Sequence, residues 1–316
     1  MELYNKYRPQ KLSEILGNDL AISSIKTSIE HGEHVFLLTG IGGCGKTTTA
    51  RAFAKDFLGA DELSIHEYNS SENRGIDTVR EIMEETRFAP LGDDKTKTVY
   101  ILDEMHQQTS AAQNALLKIL EECPEHVYFF LCTTDPQKIV QPLLTRCPPI
   151  KLKGLDNNTM FSMLRRIAHK EGVQIDPEIL QQIASESDGS SRFAIKAMAK
   201  VLYLENDDAR REYIKNYGIS DASEDSIELC RALIKCEGWD RYAECMEKIK
   251  DDVSSNPEGV RRLVMSYATS VLKKGMNPVA VAMLQAFSNA DTYRNGVSAI
   301  WVGLLDFQDY LAQLNS

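Results

Sequence analysis

The sequence lacks the cysteine and histidine patterns of common zinc sites and disulfide frameworks. Its seven cysteines include no CxxC pair, and its six histidines show neither HxxxH nor HExxH spacing. The N-terminal residues Met1 to Lys6 also lack the apolar segment and small-residue cleavage site of a signal peptide. We therefore expect a reducing, cytoplasmic setting.

Long apolar runs and an excess of positive charge are missing as well. The longest apolar runs, such as Val127 to Cys132, are far shorter than the roughly 20 residues of a membrane span, so no membrane partner is expected. Asp and Glu total 46 against 36 Lys and Arg, which gives a net charge of -10. This balance argues against a uniformly basic nucleic-acid surface. Contact with DNA would need a small, locally positive patch shared among subunits.

The composition is that of a globular protein, and the length of 316 residues allows two or three domains. Apolar runs at 35–39, 99–102 and 127–132 alternate with helical patterns at 76–87 and 109–122. Strands that are apolar on both faces predict an α/β domain with a parallel sheet covered on both sides. After residue 153 the pattern predicts three short helices, a polar stretch at 205–226, and four or five further amphipathic helices.

A phosphate-binding pattern, GxxxxGK[ST], lies between the first predicted strand and a predicted helix. Glycines in such a loop let backbone N–H groups point at phosphate oxygens, while Lys46 would reach the outer phosphates and Thr47 would ligate Mg²⁺. The alternative, a simple glycine turn, is disfavoured by the strand and helix on either side. The predicted nucleotide-binding residues of this segment are Gly40, Ile41, Gly42, Gly43, Cys44, Gly45, Lys46, Thr47 and Thr48.

Two adjacent acids, Asp103 and Glu104, follow the apolar strand at 99–102. At the carboxyl end of a strand beside a phosphate loop, Asp103 can hold the Mg²⁺ shell. Glu104, turned the other way, can orient or deprotonate the water that attacks the γ-phosphate. Without the P-loop, the two acids would be equally typical of a solvated loop. Residues Asp103 to His106 also fit the DExH pattern of helicases, but those motors need two such lobes and this chain has one.

Several further segments resemble the AAA+ ATPase subunits of sliding-clamp loaders, namely the bacterial gamma/tau subunit and the small subunits of replication factor C. The segments are Leu3 to Pro9, the P-loop, Ser71 to Arg80, Asn114 to Glu122, Thr133 to Lys138 and Leu144 to Cys147. The resemblance is dense over residues 3–200 and rests on architecture alone beyond about 210. The four-cysteine zinc module of the bacterial subunit is absent, and Thr145 stands where the family usually has Ser. The first departure favours a replication-factor-like, archaeal or phage version, although the segment at 133–138 is bacterial in character.

The resemblance implies three parts: an AAA+ nucleotide-binding core at 1–153, a three-helix lid at 154–208, and an all-α collar for oligomerisation at 220–316. It implies that Arg146 acts in trans, as an arginine finger in the site of a neighbouring subunit. Thr134 would sense the attacking water or the γ-phosphate, and Arg192 would reach the nucleotide in cis. The alternatives are a surface arginine near a proline turn for Arg146, a turn cap for Thr134, and a charge on a solvated face for Arg192.

The resemblance also implies residues around the adenine, the DNA and the clamp. The adenine side would be lined by Tyr7, Arg8, Pro9, Leu16 and Gly17. Arg74 and Arg80 flank a helix N-terminus suited to a DNA phosphate, but both are equally able to pair with acids such as Glu72, Asp77 or Glu84. In the resembling family the segment Phe88 to Leu91 faces the clamp; the alternative is a helix end packed on its own sheet.

The function implied by the resemblance is that of a clamp-loader ATPase subunit with ATP and Mg²⁺ as cofactors. It would assemble with homologous or identical subunits into a ring or spiral, expected to be a pentamer. ATP binding would open a ring-shaped sliding clamp, and primer-template DNA would trigger hydrolysis during replication in the cytoplasm, or in the host cytoplasm for a phage protein. Two alternatives are an ATP-binding scaffold subunit that does not hydrolyse ATP and a different AAA+ DNA motor.

Overall fold

The computed structural model describes residues 2–70, 75–86, 97–220, 224–255, 257–288, 290, 292 and 296–314, with the backbone alone at 212, 215–220, 251 and 255. The chain divides into two compact units, Met1–Tyr203 and Leu204–Ser316. This division falls at the start of the polar stretch at 205–226. The further separation of a core from a lid within the first unit remains a prediction.

The first unit contains a five-stranded parallel sheet. Its strands are β1 (Val35–Thr39), β2 (Ile65–Asn69), β3 (Thr98–Asp103), β4 (Val127–Thr133) and β5 (Pro149–Lys151). They lie in the order β2-β3-β4-β1-β5, and every neighbouring pair is parallel. Strand β4 therefore lies between β1 and β3, with Thr39 opposite Thr133 and Leu102 opposite Leu131. The carboxyl ends of these three strands meet at one edge, where open parallel sheets bind their ligands.

Helices cover both faces of this sheet. They are α1 (Leu3–Lys6), α2 (Asp19–Glu30), α3 (Lys46–Ala52), α4 (Ile76–Glu85), α5 (Ser110–Glu121) and α6 (Gln141–Arg146). Helix α3 continues into a π-helical turn at Phe53–Phe57, and 3₁₀ turns occupy Leu12–Glu14, Glu62–Ser64, Met105–Gln107 and Pro136–Lys138.

Alternate residues of the central strands enter two separate cores. Phe36 and Phe130 pack in one core with α2 and α3, whereas Leu37 and Phe129 pack in the other with α4, α5 and α6. This arrangement confirms the predicted parallel sheet covered on both sides. The sequence did not predict β2 and β5, because β2 carries polar residues between its apolar ones and β5 has only three residues.

Three helices follow the sheet, as predicted: α7 (Asn157–Lys170), α8 (Pro177–Glu186) and α9 (Ser191–Val201). Each helix is capped at its N-terminus by a side-chain oxygen that accepts hydrogen bonds from backbone N–H groups. The capping residues are Asp156, Asp176 and Ser190 respectively. Their apolar stripes are buried, with Leu164, Ile179 and Met198 fully enclosed. These helices form a compact three-helix module.

The second unit is helical throughout its described residues. Its helices are α10 (Asp207–Ser220), α11 (Glu224–Ile234), α12 (Trp239–Lys248), α13 (Lys250–Ser255), α14 (Pro257–Leu272), α15 (Pro278–Ser288) and α16 (Val297–Leu314). They enclose one core around side chains such as Tyr242, Val264 and Phe307. The estimate of four or five helices was too low, because short α13 carries little periodic signal and α10 occupies the polar stretch. Within the described part of the chain, none of the helices has the length and hydropathy to cross a membrane.

Candidate functional site

The predicted P-loop residues and the first of the two acids meet at the carboxyl edge of the sheet. Lys46 and Thr47 form the first turn of α3, and both side chains are buried. The Lys46 Nζ donates to the carbonyl oxygens of Gly40 and Ile41 at 3.0 and 3.1 Å. The Thr47 hydroxyl donates to Asp103 Oδ2 at 2.6 Å. A hydroxyl and a carboxylate so close together supply the oxygen donors that Mg²⁺ prefers.

Glu104 follows Asp103 with a left-handed backbone conformation. Its φ of 52° and ψ of 43° place this non-glycine residue in a rarely occupied region. Its N–H donates to Asp103 Oδ1 at 3.0 Å, and its Oε2 accepts from the Thr134 hydroxyl at 3.4 Å. Burial raises the pKa of Glu104, and the neighbouring charge of Asp103 adds to this. The two acids therefore face different partners, as the sequence predicts.

The glycines of the P-loop lie against the segment that leads into the helical module and against α9. Gly40, with φ +155°, approaches the Leu152 carbonyl so closely that a Cβ would collide with it. Gly43, with φ +75°, lies beneath Ser190 and beside Arg192, whose Cβ would be 2.9 Å from an added methyl group. The Ser191 hydroxyl donates to the Gly43 carbonyl oxygen at 3.0 Å. The first turn of α9 is thus fixed directly on the phosphate loop.

A cleft opens where these elements converge. It is lined by Tyr4, Gly43, Gly45, Lys46, Thr47, Thr48, Asp103, Glu104 and Arg192. The guanidinium of Arg192 lies over the ring of Tyr4, 5.6 Å from its centroid. The cleft therefore joins a glycine-rich loop, a lysine, two acids and an arginine from α9, which is a suitable set for a nucleoside triphosphate.

Comparisons with known proteins agree with this arrangement. Residues 17–156 match the family model described as "DNA polymerase III, delta subunit". The DNA polymerase III subunit tau of Bacillus subtilis is 30% identical over 227 residues, which is 65% of this chain and 40% of that protein. The DNA polymerase III subunit gamma of Buchnera aphidicola, from Schizaphis graminum, is 32% identical over 64% of this chain and 61% of its own length. The chain is related to the gamma/tau subunits of bacterial DNA polymerase III.

This relationship confirms the family resemblance, and it covers only part of the length of each relative. The chain covers less than two thirds of these gamma and tau relatives, for example 33% of the Escherichia coli tau subunit. Among solved structures, the RuvB Holliday junction branch migration motor of Thermotoga maritima superposes with a TM-score of 0.57, covering 73% of this chain and 80% of that one at 21% identity. That likeness concerns the fold, which is an AAA+ fold with helices after the sheet.

Arg146 lies away from the cleft of its own chain. It ends α6, is exposed, and is not among the described residues that line the cleft. Its Nε and Nη2 donate to the Leu120 carbonyl oxygen at 3.3 and 2.9 Å, at the end of α5. In this chain the Arg146 guanidinium thus lies on the surface of the α/β domain. Its role in trans stays a prediction.

The residues predicted for the adenine side contact several different elements of the fold, and their role stays a prediction. The Arg8 Nε donates to the Thr48 hydroxyl at 3.2 Å, and Arg8 and Pro9 line a separate depression with Arg51. Tyr7 instead points at the end of α7, where its hydroxyl donates to Glu171 Oε1 at 2.5 Å. Leu16 is half-buried, and Gly17, with φ +70°, adjoins the Leu155 side chain. These contacts thus join Arg8 to α3, Tyr7 to the end of α7, and Gly17 to the segment that leads into α7.

The predicted DNA and clamp segments are only partly described. Arg74 and the segment Phe88 to Leu91 lie outside the described residues. Arg80 is 65% exposed and pairs with Asp77 at 2.9 Å, one of the ion pairs that the sequence offered as an alternative. An exposed pair of this kind is weak, so it leaves Arg80 available for other contacts.

Three residues of the site are not predicted individually from the sequence. Tyr4 lines the cleft, Ser191 bonds the P-loop, and His106 lies 3.3 Å from the Glu104 carboxylate. Tyr4 and His106 stand inside the quoted motifs, and Ser191 directly precedes Arg192. Proximity to motif residues was therefore the available signal, but the contacts depend on how separate elements fold together.

Proposed function

We propose that this chain is an ATPase subunit of a sliding-clamp loader that uses ATP to open a ring-shaped clamp and place it on primer-template DNA. The observation that carries the proposal is the convergence of Lys46, Thr47, Asp103 and Glu104 in one cleft. Relationship to the gamma/tau subunits supports the assembly in which this chemistry would be used.

The cleft residues divide the work of ATP hydrolysis. Lys46 would exchange its bonds to the loop carbonyls for the outer phosphates, and the N–H groups at the start of α3 would bind phosphate oxygens. Glu104 would take a proton from the attacking water. The water oxygen would form a bond to the γ-phosphorus while the bond between that phosphorus and the ADP oxygen breaks. Thr134 would hold Glu104 or the water in place.

Thr47 and Asp103 fit a magnesium ion, because a hydroxyl and a carboxylate oxygen already lie 2.6 Å apart at the loop. When bound there, Mg²⁺ would neutralise phosphate charge. Arg192 would report on the nucleotide; its position on α9 and in the lining of the same cleft as the P-loop supports this role. ATP binding would thereby couple the angle of the helical module to the phosphates.

Arg146 would complete a neighbouring copy's site. Its exposed position, outside the described lining of its own cleft, supports a role between subunits. A positive side chain supplied in trans is worth roughly 10³ to 10⁵ in rate in GTPases. We propose a ring or spiral of homologous or identical subunits, with five positions, in which copies sum their phosphate contacts on DNA.

The decisive experiment is steady-state phosphate release with clamp and primed DNA added singly and together. A loader should accelerate most when both are present, and Lys46→Ala should abolish the stimulated turnover. Acceleration by branched DNA without any clamp would instead favour a different AAA+ motor. Nucleotide binding without turnover under any of these conditions would favour a scaffold subunit, but the presence of Glu104 in the cleft argues against that alternative.

A further inference from the structure

His106 lies beside the acids of the cleft, yet the roles proposed above do not use it. It belongs to the 3₁₀ turn after β3, and its side chain is only 3% exposed. Its Nδ1 lies 3.1 Å from Thr133 Oγ1 and 3.3 Å from Glu104 Oε2. A buried imidazole therefore joins the end of β4 to the carboxylate that would activate water.

Gln107 determines which ring nitrogen carries the proton. Its side-chain Nε2 lies 3.1 Å from His106 Nε2. With the amide nitrogen of Gln107 on this side, His106 Nε2 is the acceptor, because an amide nitrogen donates and cannot accept. In the neutral ring the proton is then on Nδ1. Burial lowers the pKa of His106, which agrees with a neutral imidazole.

The Nδ1–H faces two oxygen acceptors, of which one is charged. Thr133 Oγ1 already accepts the Asp135 N–H at 3.1 Å. The hydrogen bond of Nδ1 is the one with Thr133 Oγ1, and the charged carboxylate of Glu104 lies beside the same nitrogen at an ion-pair distance. The Thr134 hydroxyl approaches the same Oε2 at 3.4 Å. One hydrogen bond from Thr134 and one polar contact with His106 thus meet at the same carboxylate oxygen, and together they restrict the rotation of the Glu104 side chain.

We propose that His106, held as its Nδ1–H tautomer by Gln107, is a positioning residue that orients Glu104 for the attacking water. The inference rests on the proposed ATP hydrolysis for its consequence, but its tautomer and its contact belong to the nucleotide-free chain. Orientation of the base affects the chemical step and leaves ATP affinity unchanged, because His106 is not among the described residues that line the cleft.

Three substitutions of His106 separate positioning from mere packing. In His106→Asn the amide nitrogen can take the place of Nδ1, whereas in His106→Gln the amide extends towards the Nε2 position and in His106→Ala no donor remains. We expect His106→Asn to keep kcat within about threefold of the native value. His106→Gln and His106→Ala should lower kcat roughly tenfold, because the Glu104 carboxylate loses a polar contact that restricts its rotation. Binding of a fluorescent ATP analogue should be equal in all three.

The tautomer is measured directly in the native protein by ¹⁵N NMR of the imidazoles, with His106→Asn identifying the His106 signals. The Nδ1–H form supports the inference, and the Nε2–H form overturns it. Native kcat in His106→Ala overturns it too, as does an equal loss in His106→Asn and His106→Ala. Failure of the proposed ATPase function would show separately, as absence of nucleotide binding or turnover in the native chain, and the tautomer measurement still decides the inference in that case.

Discussion

Glu104 has properties that fit its proposed role as the base of ATP hydrolysis. Its left-handed backbone costs of order 1–2 kcal/mol, a strain that surrounding contacts must offset. The bond from its own N–H to Asp103 and the contact with Thr134 supply two of them. A strained acid at the end of a buried strand is typical of a functional position.

Substitution of Glu104 by Gln should therefore separate binding from catalysis. The amide keeps the size of the side chain but cannot take a proton, so we expect kcat to fall at least about 100-fold while ATP affinity changes little. Phosphate release and equilibrium binding of a fluorescent ATP analogue measure the two effects. Glu121→Gln, at the exposed end of α5, is the matched control and should behave as the native chain. Equal activity of the two variants would contradict the role of Glu104.

A second prediction concerns the hydroxyl of Thr47. Thr47→Val preserves the branched shape but removes the oxygen that bonds Asp103, whereas Thr47→Ser keeps an oxygen at that position. We expect the Mg²⁺ concentration for half-maximal turnover to rise about tenfold or more in Thr47→Val and little in Thr47→Ser. A magnesium titration of phosphate release makes the comparison. An unchanged midpoint in Thr47→Val would remove Thr47 from the metal site.

The first turn of α9 packs directly against the P-loop. An added methyl at Gly43 meets Ser190 and Arg192, whereas one at Gly172 meets nothing within 4 Å although its φ of +70° is nearly the same. Both alanine variants carry the left-handed strain, but only Gly43→Ala also displaces α9. We expect hydrogen exchange of α9 amides to accelerate in Gly43→Ala by more than in Gly172→Ala, corresponding to about 1–3 kcal/mol. Equal exchange in the two variants would show that this contact does not hold α9.

Helix α1 is tied to the end of α7 by a second set of contacts. Glu171 accepts from Lys6 at 2.7 Å and from the Tyr7 hydroxyl, and these bonds lower the pKa of Glu171. Burial, together with the same carboxylate, raises the pKa of Tyr7 to about 12. Since the pKa of Glu171 is lowered in the folded chain, this contact is present at neutral pH and is lost as the pH falls through that lowered value.

Tyr7→Phe should bring the pKa of Glu171 back towards its ordinary value. The loss of one donor leaves Lys6 as the principal partner, so the return should be partial. A ¹³C titration of the Glu171 carboxyl measures it, with Tyr203→Phe as a control because Tyr203 is 87% exposed. A Glu171 pKa that stays unchanged in Tyr7→Phe would show that the hydroxyl does not stabilise the carboxylate.

The sequence predicted the elements whose signals are local. Strands β1, β3 and β4 have continuous apolar runs, so the parallel sheet was predictable from the sequence pattern. The P-loop and the two acids have fixed spacing, so the central residues of the candidate site were predictable as well. Edge strand β2 and three-residue β5 have no such signal. Contacts between distant segments, such as Ser191 with Gly43 or Arg146 with the end of α5, depend on tertiary packing and were not predictable.

The whole molecule combines an AAA+ α/β unit with a helical unit, and its proposed activity needs more than one copy. The described cleft contains Arg192 but not Arg146. Arg146 is exposed and outside the described lining of that cleft, so in the proposed assembly it would serve a neighbouring copy. Activity should therefore rise with protein concentration until the assembly forms.

A mixing experiment tests this account most directly. Arg146→Ala and Glu104→Gln chains should each be nearly inactive alone, because one lacks the arginine for its neighbour and the other lacks the base. In a mixture, an intact cleft of an Arg146→Ala chain can receive Arg146 from an adjacent Glu104→Gln chain, so phosphate release should recover to a substantial fraction of the native rate. Full turnover by a demonstrably monomeric preparation, together with an unimpaired Arg146→Ala variant, would contradict the account.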